Sequence, residues 1–558
     1  MPEAPESASQ GRGGALAVGA GILASRLAGF ARAAVTSAAF GVGPHADVLQ
    51  TALRAPNLLQ NLLGEQALSA SFIPVYSRML AAGRREEARR FAGAVFGLLL
   101  AVVALFALLG VLGARPLVAL FAVGYLQDAA RVAAGTATVD RFELAVVAVR
   151  WMFPMTGLLV LSAWALGVLN SHGRFFLSYV APVVWNAAII GALVWTMIGR
   201  TLAGEHHQER LLMAACVGAL AGGLLQFLVQ LPSVLRELGG LHVAFSTHVA
   251  GVRDALRAFG PAVAGRGVVQ VSSFLDQILG SLLAVGAVSA LGYAQMLYLL
   301  PVSLFGQSIA AASLPALSRV SAAVAPADLA ARTRRALAQT GFLNLPVATA
   351  YLTLGPVLAA ALYRLLPGRF GEDDAWLVGL VLGAYALGLP AATGARVLQS
   401  TFFALGDTRT PARAAALRVT LGALLAVPGM LVLDRVALVR LPGLAGLGGD
   451  LRLGAVGLAF GASVAAWFEW GFLSRSLAPR VPGFHWRLAD AVRVLAASAA
   501  GALAGSGVRL ALGGLVLPPV VVAAAVGAAF LLLFVTTGLA LAVPQLERVR
   551  RRLAGGRR

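Results

Sequence analysis

Arg26 and Arg32 stand six residues apart in "GILASRLAGFARAAVTSAAFG" (21–41), where nearly every other residue is apolar or small. A guanidinium is permanently charged and presents a planar fork of N–H donors that matches the oxygens of a phosphate or diphosphate. Counted from a helix start near residue 15, Arg26 lies about 16 Å along the axis and Arg32 about 25 Å, about 120° apart around it. A charge at such depth costs at least about 2.5–3.5 kcal/mol and persists where it faces a protein interior or a wet cavity. Snorkelling to the far interface is the competing account for Arg32 and explains Arg26 less well. The chemistry these residues suit is recognition of an anionic, phosphate-bearing group.

The elements that must hold them are membrane spans. Hydrophobic residues make up 59% of the 558 and charged residues 12%, which excludes an ordinary soluble domain. Apolar stretches long enough for a hydrocarbon core of about 30 Å recur throughout. Fourteen are expected, near 15–41, 46–80, 91–114, 142–170, 175–199, 211–235, 257–286, 289–317, 336–362, 375–404, 411–433, 453–475, 488–508 and 517–543. The expected fold class is therefore all-α, a polytopic membrane protein. The stretch "MPEAPESASQGRGG" (1–14) is taken as a retained cytoplasmic leader, since the first span lacks the cleavage site of a signal peptide.

Charge orients the bundle. The net charge of +20 is carried by arginine, for the chain has no lysine. With the amino terminus in the cytoplasm, the connections on that side include "SRMLAAGRREEARR" (77–90), "RTRR" (332–335), "GDTRTPAR" (406–413) and the tail "ERVRRRLAGGRR". Those on the other side, such as "GEHHQER" (204–210) and "GRFGEDDAW" (368–376), are balanced or acidic. This obeys the positive-inside rule, and an even number of spans brings both termini to the cytoplasmic face. The basic charge then follows from topology and attraction to anionic membrane lipids, with no nucleic-acid partner.

Further polar residues fall inside the spans. The second, "HADVLQTALRAPNLLQNLLGEQALSASFIPVYSR", carries Asp47, Arg54 and Glu65, with Pro56 and Pro74 expected to break it. Such a defect is tolerated where a segment lines a cavity or bends, so this span suits a gate; an Asp47–Arg54 or other arginine–carboxylate pair that merely ties helices is the competing account. In the seventh, "AFGPAVAGRGVVQVSSFLDQILGSLL", Arg266 and Asp276 are about 15 Å apart along a helix, too far to pair directly, and Arg266 is the leading cavity cation of the second half. Arg150, Arg396 and Glu469 are as well explained by local pairing or an interfacial position. Asp47, Glu65 and Asp276 are candidate gate or coupling groups for Na+ or H+.

Other chemistries find no support. His45, His172, His206, His207, His242 and His248 fall in connections without a ligand partner at i+4, and Cys216 lies in an apolar run, so neither a metal site nor a disulfide is expected. Glycine pairs such as those in "GAVGLAFG" (454–461) read as helix-packing contacts. No nucleotide loop or catalytic triad emerges, and no cofactor is expected. Movement must then draw on an ion gradient, on downstream consumption of product or on membrane potential, where one charge across about 100 mV is worth about 2.3 kcal/mol.

The stretches "SRLAGFAR…AFGVGPHADVLQTALRAPNLLQNLLGEQALSASFIPVYS", "GYAQMLYLLPVSLFGQSIAAASLPALSR" and "TFFALGDTRTPAR" together resemble the lipid II flippases of the MurJ (MviN) type, within the superfamily of multidrug, oligosaccharidyl-lipid and polysaccharide exporters. The resemblance implies two pseudo-symmetric six-helix lobes, 15–235 and 236–475, a lipid-tail groove from two further helices, 476–543, and a basic cytoplasmic tail, 544–558. It implies a transporter of the bacterial inner membrane, not an enzyme, that passes lipid II through a cavity between the lobes by alternating access. Arg26, Arg32, Asp47 and Glu65 match positions the family uses in its cavity and gate, and Pro56, Asn57 and Pro74 match its second-helix motif. Departures occur at Gln60 and Met296, where the family commonly has arginine, and at Ala33, where it has an acid; Arg54 and Arg266 are the candidates to restore the missing charge.

Three rivals remain on sequence grounds. A flippase for another polyprenyl-linked glycan fits the physics equally well and differs only by motif. A drug or cation antiporter calls for carboxylates and aromatics where this chain has arginines. An enzyme acting on polyprenyl phosphates needs surface acids or histidines that do not appear.

Overall fold

Hydropathy dictates helices here, because a backbone in hydrocarbon must satisfy its own N–H and C=O groups. The computed structural model describes residues 6–199, 207–307, 326–444, 450–482 and 488–555. Each of the fourteen apolar segments overlaps a helix or a broken pair of helices, and among the described residues the only β-type contact is an isolated bridge between Ala437 and Arg452. Among the described residues, ten helices are long and apolar enough to cross a membrane, or eleven with one bent pair counted as a span. The helices bearing Arg26, Arg32, Asp47, Arg54, Glu65 and Asp276 are not among the ten.

By packing, the chain forms two compact units, Met1–Leu282 and Leu283–Arg558. The first contains α1 (Glu6–Phe40), α2 (Pro44–Leu63), α3 (Glu65–Ala81), α4 (Arg85–Leu112), α5 (Ala114–Phe121), α6 (Asp128–Ala133), α7 (Arg141–Ser171), α8 (Phe175–Ile198), α9 (His207–Leu238) and α10 (Val252–Ser281). Two apolar clusters fill it. One surrounds Met152 and Met155 of α7; the other stacks Phe72 on Phe91, with centroids 5.4 Å apart, and sets Phe96 against Trp164 at 4.7 Å. The 239–251 connection runs back over α4, where a Cβ at Gly93 or Gly97 would collide with the carbonyls of His242 and Ala244.

Three details depart from the sequence expectation. Helix α1 begins at Glu6, so most of the expected leader is helical. The second span is helical through both Pro56 and Pro74, with the side chain of Pro56 outside the described residues; the break falls instead at Gly64. There ψ is −144°, and a Cβ would strike the Gln60 carbonyl oxygen. Finally, α10, expected in the second lobe, packs within the first unit: Phe274 stacks on Phe121 at 4.8 Å, and Gln277 and Ser281 bond to Thr51 and to the Gly124 backbone.

The second unit contains α11 (Ala287–Pro301), which passes into a π-helical turn (Val302–Gln307), then α12 (Pro326–Tyr363), α13 (Glu372–Ala386), α14 (Leu389–Ala404), α15 (Arg409–Leu433), α16 (Gly454–Leu477), α17 (Leu488–Leu512), α18 (Pro519–Ala540) and the basic α19 (Pro544–Gly555). Helices α13 and α14 meet at a 41° bend. The carbonyls freed there are answered from α16: Ser463 Oγ donates to Ala384 at 2.6 Å and Trp467 Nε1 to Leu387 at 2.9 Å. The glycines of "GAVGLAFG" serve packing. A Cβ at Gly457 would lie 2.5 Å from the Gly429 carbonyl of α15, and one at Gly461 would lie 2.5 Å from Ala426 Cα.

The motif "GDTRTP" is a stop followed by a start. Gly406, at φ +74°, ends α14 in the left-handed conformation that glycine adopts without strain. Asp407 then opens α15: it accepts from the backbone N–H groups of Arg409 at 2.8 Å and Thr410 at 3.0 Å and from the Thr410 hydroxyl, and it pairs with Arg480. The Thr410 hydroxyl and backbone N–H hold its carboxyl well below the usual carboxylate range.

Two outcomes follow. Gly457→Leu forces α15 and α16 apart and lowers stability by about 1–3 kcal/mol, whereas Gly471→Ala, whose new Cβ meets nothing within 4 Å, leaves the thermal midpoint nearly unchanged. Because the Asp407 pKa is depressed, its contribution is complete above the ordinary carboxylate value of about 4 and fades as pH falls through the folded value. The difference in thermal midpoint between wild type and Asp407→Asn is therefore constant from pH 8 to pH 5 and shrinks below about pH 4.

Candidate functional site

On α1 the two arginines meet different fates. Arg26 is exposed. Arg32 is half-buried against α8: its Nε donates to Asn186 Oδ1 at 2.8 Å, and its guanidinium carbon lies 5.1 Å from the centre of the Trp185 ring. Both partners are themselves fixed, Asn186 Nδ2 donating to the Pro182 carbonyl at 2.9 Å and Trp185 Nε1 to the Ala219 carbonyl at 3.1 Å. α1 and α8 lie close together beside this dock, since a Cβ at Gly21 would lie 2.7 Å from Tyr179 Cβ. These contacts with a neutral amide and an indole fix the orientation of the Arg32 plane.

Asp47 belongs to a different structure. It is fully buried at the start of α2, where Arg141 Nη1 reaches its Oδ2 at 3.3 Å, an arginine–carboxylate pair of the kind the sequence offers as the helix-tying alternative. Arg141 is 1% exposed; its Nε bonds to Asp128 Oδ2 at 2.6 Å, and its guanidinium sits 4.3 Å from the centre of the Tyr125 ring. Asp128 is 2% exposed and takes a second, longer contact from the surface residue Arg131 at 3.4 Å. Tyr125 Oη lies 3.2 Å from Thr51 Oγ1, which accepts from Gln277 Nε2 at 2.8 Å. Thus α2, α6, α7 and α10 converge on one buried polar node. The sequence shows Asp128 and Arg141 only as members of a connection, and their distance from Asp47 along the chain hides the pairing.

The remaining expected residues are dispersed within this unit. Arg54 is half-buried on α2, Glu65 is exposed in the first turn of α3, and Asp276 is half-buried on α10 next to Gln277. Arg266 lies on α10 with its side chain outside the described residues, and Arg150 is exposed on α7.

The second unit has its own charged group. Glu469 on α16 is 2% exposed, accepting from Arg418 Nη1 at 3.0 Å and Gln399 Nε2 at 2.9 Å. Arg396 is near enough to feel the charges of both Arg418 and Glu469. Two guanidiniums around one carboxylate leave the cluster cationic. Glu469 thus follows the local-pairing account, and Arg418, which sequence inspection passes over because it sits near a helix start, is its partner.

Outside the spans, His172 follows α7, with Nε2 2.9 Å from Tyr76 Oη and Nδ1 3.4 Å from Glu237. Burial lowers its pKa despite the nearby carboxylate. Among the described residues no group of three or more His, Cys, Asp or Glu side chains is placed to hold a metal.

Helices bearing cationic side chains and buried polar nodes fit a carrier for an anionic amphiphile, and comparison with known proteins gives that fit a family. The family model for the lipid II flippase MurJ matches residues 36–526. A probable lipid II flippase MurJ of Rhizobium tropici is 32% identical over 414 residues, 74% of each chain. A solved lipid II flippase MurJ in an inward closed conformation shares the fold, with a TM-score of 0.71 at 20% identity over 95% of this chain and 99% of that one. An inward-facing multidrug resistance MATE transporter of the MOP superfamily aligns more loosely, at a TM-score of 0.54 and 15% identity over 81% of this chain and 94% of that one. The match extends from the end of α1 into α18, and the chain belongs to the lipid II flippase MurJ family.

Proposed function

We propose that the chain flips lipid II from the cytoplasmic to the outer leaflet by alternating access, with Arg26, Arg32, Arg54 and Arg266 serving the diphosphate. The observation that carries this is the mounting of Arg32. Asn186 Oδ1 and the Trp185 ring fix the plane of its guanidinium, and a forked donor of fixed direction is what recognition of a diphosphate requires. In this reading Arg54 and Arg266 supply the charge missing at Gln60 and Met296. Lobes related by pseudo-symmetry and a tail groove from α17 and α18 complete the carrier. The arginine-rich connections support cytoplasmic termini in a bacterial inner membrane.

Asp47, Glu65 and Asp276 act as gate or coupling groups in this proposal. The node around Asp47 ties the carboxy-terminal end of α10 to α2, so opening there must exchange the Gln277–Thr51 and Ser281–Gly124 bonds. The strong ionic core of the node is the fixed part; the neutral bonds around it are the ones that break. Coupling to Na+ or H+ would act through the acids that can change charge, Glu65 and Asp276.

Complementation of a flippase-depleted bacterium, followed by reconstituted translocation of lipid II against a short-glycan polyprenyl diphosphate, tests the assignment; transport of cationic dyes in place of both overturns it. In that assay Arg32→Ala lowers translocation at least about tenfold and Arg32→Lys, which loses the fork, falls between it and wild type. Asn186→Ala, which frees the plane but keeps the charge, costs about threefold. Arg141→Met removes the cation shared by two buried carboxylates, leaving Asp128 its longer contact from Arg131, and lowers stability by about 3–5 kcal/mol, measured by thermal unfolding in detergent.

A further inference from the structure

Within the first unit, α2, α3, α7, α8 and α9 enclose a polar cavity of about 170 Å³. Its walls include Asn61, Glu65, Ser162, Ser178, Gln226 and Gln230, and no cationic side chain lines it. In a chain whose intramembrane charge is mostly arginine, this is a cavity of the opposite character. Ser162 Oγ accepts from Gln226 Nε2 at 2.9 Å and from Gln230 Nε2 at 3.0 Å. With one of its two amide N–H groups donated there, the Gln230 amide is held in place, and its carbonyl oxygen is buried without a hydrogen-bond partner in a residue only 1% exposed. Ser178 Oγ spends its proton on the Arg174 carbonyl at 3.4 Å, so it too faces the cavity as an acceptor. Asn61 and Glu65 are exposed and form the rim.

An orphaned buried carbonyl costs about 1–3 kcal/mol and calls for a donor. The lining offers amide N–H donors as well as acceptors but, among the described residues, no cation, which suits a neutral polar group better than a phosphate. Size decides between the remaining donors. A single water occupies about 10–15 Å³ by this measure, so the cavity holds on the order of ten, far more than one dehydrated ion fills. What fits is a neutral group of sugar size rich in O–H and N–H donors. We infer that this cavity is a subsite for a hydroxyl- and acetamido-bearing sugar of the transported headgroup, with Gln230 Oε1 as its deepest acceptor. The inference rests on the flippase assignment and adds to it a place where the glycan, as distinct from the diphosphate, is recognised.

The test uses the native thiol to advantage. Cys216, the single cysteine, is buried, so Asn61→Cys introduces the one accessible thiol, at the rim. Lipid II slows its reaction with a water-soluble maleimide by about five- to tenfold, the worth of roughly one hydrogen-bonded contact, while sugar-free undecaprenyl diphosphate leaves the rate unchanged. Adding Gln230→Leu abolishes the protection without changing binding of the sugar-free lipid. Should that variant fail to fold, Ser162→Ala, which releases both amides, must weaken protection in the same selective way. Equal protection by the two lipids, protection that follows sodium against choline, or protection that survives Gln230→Leu or Ser162→Ala overturns the subsite. Binding of neither lipid by wild type overturns the flippase assignment itself.

Discussion

Everything in this molecule answers to the free-energy cost of charge and bare hydrogen-bonding groups in hydrocarbon. Three solutions coexist in the chain. Arg141 is buried and held between two carboxylates; Arg32 is braced by a neutral amide and an indole; Arg26 stays at the surface. The first solution removes charge from play and fixes helices relative to each other. The second fixes the direction of a guanidinium plane.

The same cost shapes the backbone. Helix breaks are placed where another helix supplies donors, as Ser463 and Trp467 do for the carbonyls at the α13–α14 bend. Small residues let helices approach until their backbones nearly touch, as Gly429 and Gly457 show. Lipid gives apolar side chains little reason to prefer protein over tails, so close packing and satisfied polar groups carry the cohesion. Such a bundle can exchange one set of neutral contacts for another at modest cost, while its ionic nodes move as rigid pieces.

The helices were legible in the sequence because hydrocarbon thickness imposes a length and polarity that a local window can see. The glycine packing in 454–461 was legible for a similar reason, since small residues at fixed spacing need no distant partner to be recognised. Position within the tertiary structure was not legible. Pro56 and Pro74 looked like breaks because proline lacks an N–H, yet the backbone turns at Gly64, where a side chain would meet the Gln60 carbonyl. The resemblance places the α10 segment in the second lobe, yet two hydrogen bonds and the Phe121–Phe274 stack hold it to the first unit. Asp47 was visible as a buried acid, but its partner Arg141 lies 94 residues away, and no periodicity joins positions so far apart.

Gln226 and Gln230 mark the limit of a charge-based search. Neither is ionisable, so neither announces itself against an apolar background, although an amide in hydrocarbon needs partners as surely as a charge does. Their i, i+4 spacing puts both on one face of α9, where one serine hydroxyl can receive both N–H groups. Anchoring each amide through one of its two N–H groups fixes the direction in which its carbonyl oxygen points. A diphosphate is bound by orienting cations and a glycan by orienting neutral dipoles; Arg32 and Gln230 are each oriented by neutral partners, which lets a membrane-embedded carrier keep polar specificity without an additional buried charge.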